Sequence, residues 1–179
     1  MRVIELEIEG VKTIAKLLKD LAPQTCQAIW NSLPFESLCV HSRWSGGRLH
    51  TVNHLNLEID ISKYPSIENP SSYQAPGDVV FEPITGELNV VYAPGNYRWM
   101  GSSWPVTKIG IIKGDFSPFA KRIERLQWEG AKKLVINQGK QSELLTPEQK
   151  GIKIKIQCAN QSWIAELFDE RTPILSAAI

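Results

Sequence analysis

The stretch RVIELEIEGVKTIAKLL, residues 2–18, decides which fold this chain adopts. Its first half alternates between acidic and apolar side chains, which predicts a half-buried β-strand that ends at Gly10. The second half is ambiguous. Its apolar residues fall at helical spacing, yet a segment that follows a strand after one glycine is also placed to be its hairpin partner. The period alone favours a helix at Val11 to Leu18, whereas a strand there would allow a sheet to close into a barrel.

Composition and charge exclude several classes of protein. The chain has 179 residues, 42% of them hydrophobic and 22% charged, which is typical of a globular protein with a sizeable core. Its net charge of +1 argues against a nucleic-acid-binding protein. No apolar run approaches the roughly 20 residues that span a bilayer, and the charged N-terminal segment does not resemble a signal peptide. Three cysteines without CxxC spacing indicate neither a disulfide framework nor a zinc site. We therefore expect a cytoplasmic protein without metal or other cofactor.

Further along the chain, short predicted strands alternate with turns and two helices. One helix is predicted from Gln24 and a second, short one from Pro118, with Ser117 as its N-cap. Strands are predicted at 37–43, in the alternating run 49–61, at DVVFEP and ELNVVYA on either side of the turn ITG, at VTKIGII and at AKKLVI. Many short strands with two short helices indicate a closed or nearly closed β-barrel.

The end of the chain is similar to its beginning. Residues 2–29 and 152–179 align without a gap at a constant shift of 150, with seven identical pairs where chance would give roughly two. The identical pairs are Ile4/Ile154, Ile14/Ile164, Ala15/Ala165, Leu17/Leu167, Pro23/Pro173, Ala28/Ala178 and Ile29/Ile179. This predicts an internal duplication, and the alternative is a chance match between two amphipathic segments.

The duplication predicts three parts of the chain. Residues 1–138 form a β-barrel unit, residues 139–151 form a polar linker, and residues 152–179 are the start of a second, truncated copy of the same unit. Severed strands leave unpaired edges, and their apolar side chains need burial. We therefore expect the tail to pack against a barrel, most simply across a homodimer, or to belong to a longer two-barrel protein.

The first unit resembles the cyclophilins at both of its ends. VKTIAKLLKDLAPQTCQAIWNSL resembles their opening, where a strand leads through an Asp-x-x-Pro-x-Thr turn, here Asp20, Pro23 and Thr25, into the first helix. KIGIIKGDFSPFAKRIERLQWEGAKKLVI resembles their closing strand, short helix and final strand. The middle of the unit is similar to an uncharacterised bacterial family of cyclophilin-like proteins of unknown function.

This resemblance implies a mainly β fold, a cyclophilin-like closed β-barrel of about eight strands with two short helices. It also implies that Val11 to Leu18 is a strand, because tertiary context overrides a local helical period. Activity does not follow from it. Cyclophilins use an Arg after a Phe-His pair and a later stretch of Phe, Gln and Gly that lines the proline pocket. Here only Arg43, in HSRW, stands near that place and no such stretch follows, so we expect no prolyl isomerase activity.

Two groups of residues are candidates for binding a small ligand. Arg43 and Trp44 lie beside the turn WSGG and suit an anionic or planar ligand. A guanidinium can donate two parallel hydrogen bonds to a carboxylate, and an indole ring can stack on a planar group. The alternative is an Arg that ties a loop carbonyl and a Trp in the core. Tyr97, Trp99 and Trp104 belong to an aromatic loop, GNYRWMGSSW, that suits a ligand pocket or an interface equally well.

Other polar residues are weaker candidates. Glu68 and Asn69 lie in a loop rich in turn-forming residues, where ligand binding and a capping or turn role are both open. His50 and His54 would lie on the same face of a strand about 13 Å apart, which is too far to share a metal ion. A hydrogen-bonded or solvent-facing histidine is the simpler interpretation of both.

The leading interpretation of function is a barrel that binds a small ligand, a carboxylate or an amide, between Arg43, Trp44 and the aromatic loop. One alternative is an enzyme, or its accessory subunit, acting on amide or ring C–N bonds, which the resemblance to domains of some bacterial amidohydrolases implies. The other is a structural or oligomerisation module without a ligand. We expect no nucleic-acid or membrane partner, and we expect either a homo-oligomer or a longer chain with a second barrel.

Overall fold

The computed structural model describes residues 1–52, 67–99, 101–140, 153–158 and 161–166. The chain forms two compact units, Met1–Leu144 and Leu145–Ile179. The elements of the first unit are β1 (Val3–Ile8), β2 (Val11–Leu17), α1 (Pro23–Asn31), β3 (Phe35–Ser42), β4 (Arg48–Thr51), β5 (Pro70–Ser71), β6 (Tyr73–Gln74), β7 (Asp78–Glu82), β8 (Glu87–Val91), β9 (Gly95–Asn96), β10 (Arg98–Trp99), β11 (Ser102–Ser103), β12 (Val106–Lys113), α2 (Ser117–Glu129) and β13 (Lys132–Gln138). The second unit contains β14 (Lys153–Cys158) and β15 (Gln161–Glu166).

Eight strands of the first unit form a closed barrel. Their order around it is β2–β1–β13–β3–β4–β8–β7–β12, and β12 pairs with β2 to close the ring. Every neighbouring pair is antiparallel. The expected fold class, a mainly β chain with a closed barrel of about eight strands and two helices, is confirmed.

Val11–Leu17 is the strand that closes the barrel, so the helical period of this segment was misleading. Thr13, Ala15 and Leu17 are buried, and the residues between them are more exposed, which is the alternation of a strand. The segment pairs with β1 on one side and with β12 on the other. Pairing on both sides satisfies its backbone groups as fully as a helix would, and it buries the alternate side chains inside the barrel.

Apolar side chains from every wall of the barrel and from both helices form one core. Cys26 and Ile29 enter it from α1, and Phe119, Ile123 and Leu126 enter it from α2. The last three lie at helical spacing on one face of α2. Burying each large side chain stabilises the fold by about 1.5–3 kcal/mol, so both helices are held to the barrel by their apolar faces.

Two details of the expected elements needed correction. The second helix runs from Ser117 to Glu129, and its N-cap position is Phe116 without a side-chain cap, so Ser117 is not the N-cap. The N–H of Ser117 donates instead to Asp115 Oδ1 at 2.9 Å. The expected strand at 49–61 is observed as β4, which ends at Thr51, and the stretch 53–66 lies outside the described residues.

The second unit contains a hairpin whose register can be compared with that of β1 and β2. Ile154 faces Ala165 across β14 and β15, and Ile4 faces Ala15 across β1 and β2. All six pairs of the second hairpin correspond to pairs of the first at a shift of 150. The duplication, the linker at 139–151 and the second copy at 152–179 stay predictions, since most of these residues lie outside the described part of the chain.

Candidate ligand site

A polar patch lies on the face of β4 and β8 that points away from the barrel core. Leu49 on β4 and Leu88 and Val90 on β8 belong to the core. Because strand side chains alternate, Arg48 and Asn89 point to the opposite face. His50 also points there, since it is paired directly with Asn89. Arg48 and Asn89 are diagonal neighbours on that face, a spacing that long side chains can bridge.

Arg48 is a fully buried cation without a carboxylate partner in the described residues. Its Nη2 donates to the backbone oxygen of Ser45 and, at 2.9 Å, to Gln74 Oε1. Its Nε and Nη1 are buried and have no acceptor in the part of the chain that the structure describes. The guanidinium carbon lies 5.1 Å from the centre of the Tyr97 ring. Burial lowers the pKa of Arg48 to about 10, because a charge removed from water without a counter-ion is disfavoured.

The segments around Ser45 and Gly95 approach each other closely enough to enclose Arg48. A Cβ added at Gly95 would lie 2.3 Å from the Ser45 oxygen and 2.9 Å from Arg48 Nη2. Gly46 has a φ of 99°, a conformation that residues with side chains rarely adopt. Ser45 Oγ also accepts the N–H of Arg98 at 3.2 Å. Only glycine at 46 and 95 allows this backbone contact.

The other groups of the patch are polar and neutral at pH 7. Asn89 is buried, and neither atom of its amide has a hydrogen-bond partner within the described ranges. Burial lowers the pKa of His50 and raises that of Tyr97, so both stay uncharged near neutral pH. The Tyr97 hydroxyl lies 3.4 Å from Glu87 Oε2. We call Arg48, His50, Asn89 and Tyr97 the Arg48 patch. One cation beside free amide atoms is suited to a carboxylate or a carboxamide.

Arg43 and Trp44 line a different feature, an open cavity of about 340 Å³ against the end of α2. The guanidinium carbon of Arg43 lies 5.4 Å from the centre of the Trp128 ring. Trp44 is 71% exposed, so the alternative that placed it in the core does not hold. Its ring centre lies 6.0 Å from that of His50. We call this cavity the Arg43 cleft.

Glu68 and Asn69 bind other parts of the fold. Glu68 accepts the N–H groups of Gln24 and Thr25 at 3.2 and 2.9 Å and the Thr25 hydroxyl at 2.8 Å, which caps the N-terminus of α1. Asn69 donates from Nδ2 to the backbone oxygen of Lys108 at 2.7 Å. These contacts correspond to the capping and turn role, and they involve neither the Arg48 patch nor the Arg43 cleft.

The aromatic loop contacts Arg48 through Tyr97. Trp104 packs beside Tyr97 in a small cluster with Val80 and Val106. Trp99 belongs to β10, and its side chain is outside the described atoms. His54 also lies outside the described residues, and no group of potential metal ligands occurs in the described ranges. No described helix is long and apolar enough to span a membrane.

Sequence reasoning missed Arg48, Gln74 and Asn89. No motif marks them, and the only local signal for Arg48 is its position directly after the two glycines of WSGGR. Arg48 and Asn89 become notable because both are buried and have atoms without a partner in the described part of the chain. Gln74 becomes notable because it accepts a hydrogen bond from Arg48.

Comparisons with known proteins identify the family and the fold. Residues 4–137 match the family described as "Protein of unknown function (DUF3830)". No curated protein matches the chain. The structure of McbB in complex with tryptophan is similar with a TM-score of 0.58 and 19% identity over 75% of this chain and 44% of that one. The solution structure of the hypothetical protein AF2241 from Archaeoglobus fulgidus has a TM-score of 0.49 and 15% identity over 77% of this chain and 95% of that one. The chain thus spans less than half the length of McbB, and the likeness to McbB is one of fold.

Proposed function

The chain belongs to the DUF3830 family, whose function is unknown, and we propose that it is a cyclophilin-like barrel protein that binds a small carboxylate or amide at the Arg48 patch. The observation that carries the proposal is the buried guanidinium of Arg48, whose Nε and Nη1 are unpaired among the residues that the structure describes. Buried donors without acceptors are rare in proteins and cost about 1–3 kcal/mol each. An oxygen-rich ligand group would supply the missing acceptors and the missing negative charge.

The neighbours of Arg48 support the same class of ligand. The free amide of Asn89 can donate to one ligand oxygen and accept from a ligand N–H. The Tyr97 ring beside the guanidinium offers an apolar face to the rest of the molecule. Placement in the cytoplasm and lack of prolyl isomerase activity are part of the proposal. The buried free thiols of Cys26 and Cys39 agree with a reducing compartment.

Thermal-shift measurements on the full chain test the proposal with matched pairs of ligands. Benzoate, benzamide and toluene share one ring and differ in the group offered to Arg48. L-Tryptophan is added because McbB, which has a related fold, was solved with it. We expect the carboxylates to raise the melting temperature, benzamide to raise it less and toluene not at all. A ligand at 100 times its Kd stabilises the folded state by about 2.7 kcal/mol.

Variants separate the Arg48 patch from the rest of the surface. Arg48→Met should abolish the part of the carboxylate-induced shift that arises at the Arg48 patch, and Arg48→Lys should reduce that part, because Lys keeps the charge but not the planar fork. Arg125→Met is the matched control, since Arg125 is an exposed arginine on α2. Shifts of the same size in wild type and Arg48→Met would refute the proposal. Conversion of the amide would favour the enzyme alternative, and a stable oligomer that responds to no ligand would favour the structural module.

A further inference from the structure

The Arg43 cleft has the dimensions of a site for one small ring. Its volume of about 340 Å³ lies at the lower end of the range for ligand pockets, about 300–1,000 Å³. The walls come from the end of β3, the turn after it and the end of α2, all within the first unit. It shares none of its lining residues with the Arg48 patch.

The cleft contains a cation with unused hydrogen-bonding capacity. Arg43 is exposed, and its guanidinium makes neither a hydrogen bond nor an ion pair within the described part of the chain, apart from its cation–π contact with Trp128. A cation–π contact holds a guanidinium by its charge and does not use its N–H groups, which stay available to an acceptor. Arg43 is therefore held in place by the ring and free to bind a carboxylate.

Two tryptophans line the same cleft and expose most of their surface. Trp44 is 71% exposed and Trp128 is 77% exposed. An indole left in water forgoes a large burial energy, and two beside one cavity form a surface on which a planar ring can stack. The wall behind them includes His41, whose Nε2 lies 2.9 Å from the Tyr92 hydroxyl and is already engaged.

Gln127 favours a ligand that carries a hydrogen-bond donor. Its Oε1 atom is buried and has no hydrogen-bond partner among the described residues, and the residue lines the cleft. A buried amide oxygen without a donor is costly, and a ligand N–H placed there would relieve that cost.

We propose that the Arg43 cleft is a second binding site, next to the Arg48 patch but with different lining residues, for a planar aromatic carboxylate that also carries an N–H donor. The carboxylate binds Arg43, the ring stacks on Trp44 and Trp128, and the N–H donates to Gln127 Oε1. This cleft differs from the Arg48 patch because it is open and offers two exposed indole rings to a ligand.

Calorimetric titration of the full chain with 2-aminobenzoate tests this site. Benzoate lacks the donor, and aniline lacks the carboxylate. We expect benzoate to bind about fivefold more weakly than 2-aminobenzoate, as suits one neutral hydrogen bond. Aniline should bind at least tenfold more weakly, because it loses the charge-assisted contact. Acetate, which lacks the ring, should show no binding at this site.

The variants distinguish this proposal from the function proposed above. Arg43→Gln should weaken 2-aminobenzoate binding by about tenfold or more, Trp128→Leu should weaken it too, and Arg98→Gln, at an exposed arginine elsewhere, should not. Gln127→Leu should remove the preference for 2-aminobenzoate over benzoate. Arg43 and Trp128 are both surface-exposed, so circular dichroism should show that the Arg43→Gln and Trp128→Leu variants are folded.

Three results would overturn the second site. One is the absence of any 2-aminobenzoate binding, and another is equal affinity in wild type and Arg43→Gln. The third is loss of binding in Arg48→Met with retention in Arg43→Gln, which would place the ligand at the Arg48 patch and leave that proposal standing. If Arg48→Met retains 2-aminobenzoate binding and Arg43→Gln loses it, the ligand binds in the Arg43 cleft. That conclusion holds whether or not the Arg48 patch binds a ligand of its own.

Discussion

Two buried arginines, Arg48 and Arg122, should differ in how much stability the protein loses when each is replaced by Met, which is similar in length and uncharged. Arg122 has a side chain 8% exposed and contacts the carboxylates of Glu9 and Glu129, the latter from Nη1 at 2.8 Å. Arg48 is fully buried and has no carboxylate partner among the described residues. The comparison therefore isolates the effect of a missing counter-ion.

The expected change for Arg48→Met is close to zero. A cation whose pKa has fallen to about 10 through burial is disfavoured in the folded state by about 3 kcal/mol, and Met removes that penalty. The same substitution leaves the Ser45 oxygen and Gln74 Oε1 without their donor, at about 1–2 kcal/mol each. The two effects nearly cancel, so the free energy of unfolding should change by no more than about 1 kcal/mol.

The expected change for Arg122→Met is a clear loss. Removing one partner of a buried ion pair costs about 3–5 kcal/mol. The carboxylates of Glu9 and Glu129 are 47% and 27% exposed and can be partly rehydrated, which reduces the loss to roughly 2–3 kcal/mol. A loss of that size lowers the melting temperature by roughly 5–10 °C in a chain of this length.

Urea unfolding monitored by circular dichroism measures both changes, and thermal melts provide a second estimate. Ligand-free protein is required, because a bound carboxylate would stabilise wild type and mask the cancellation. If Arg48→Met destabilises the protein as much as Arg122→Met does, the guanidinium of Arg48 is fully satisfied in the folded state. The physical reason for placing a ligand there would then be lost.

Three further outcomes follow from the structure. Glu68→Gln, which removes the charge that caps α1, should lower the free energy of unfolding by about 1 kcal/mol, whereas an unchanged urea midpoint would mean that the cap contributes nothing. Gly95→Ala should lower the free energy of unfolding by more than about 2 kcal/mol or abolish the carboxylate-induced thermal shift, because the Cβ of the alanine would lie 2.3 Å from the Ser45 oxygen. Wild-type behaviour in both assays would contradict the close backbone contact. Burial raises the pKa of Cys26 to about 12 and of Cys39 to about 11. The unfolded thiols ionise first, from about pH 9, so stability should fall above that pH, and a Cys26→Ala, Cys39→Ala double variant should show a shallower fall. Identical pH profiles for wild type and the double variant would rule out these thiols as the cause.

The sequence by itself determined the elements that depend on neighbouring residues. The alternation in β1, the hairpin of β7 and β8 around ITG, and the apolar stripes of both helices are properties of short segments, so they could be predicted from spacing. The shift of 150 between the two ends of the chain was visible in the same way, and the registers of the two hairpins agree with it.

Tertiary structure alone decided the features that depend on distant partners. Val11–Leu17 has a helical period but is a strand, because β1 and β12 pair with it on both sides. Glu68 caps a helix more than forty residues before it in the chain. Arg48 is buried because Gln74, Gly95 and Tyr97 fold over it. Local periodicity records which face of a segment is apolar, but it carries no information on which distant segment will cover the other face. The candidate site belongs to this second class, since burial without a partner is a property of the assembled barrel.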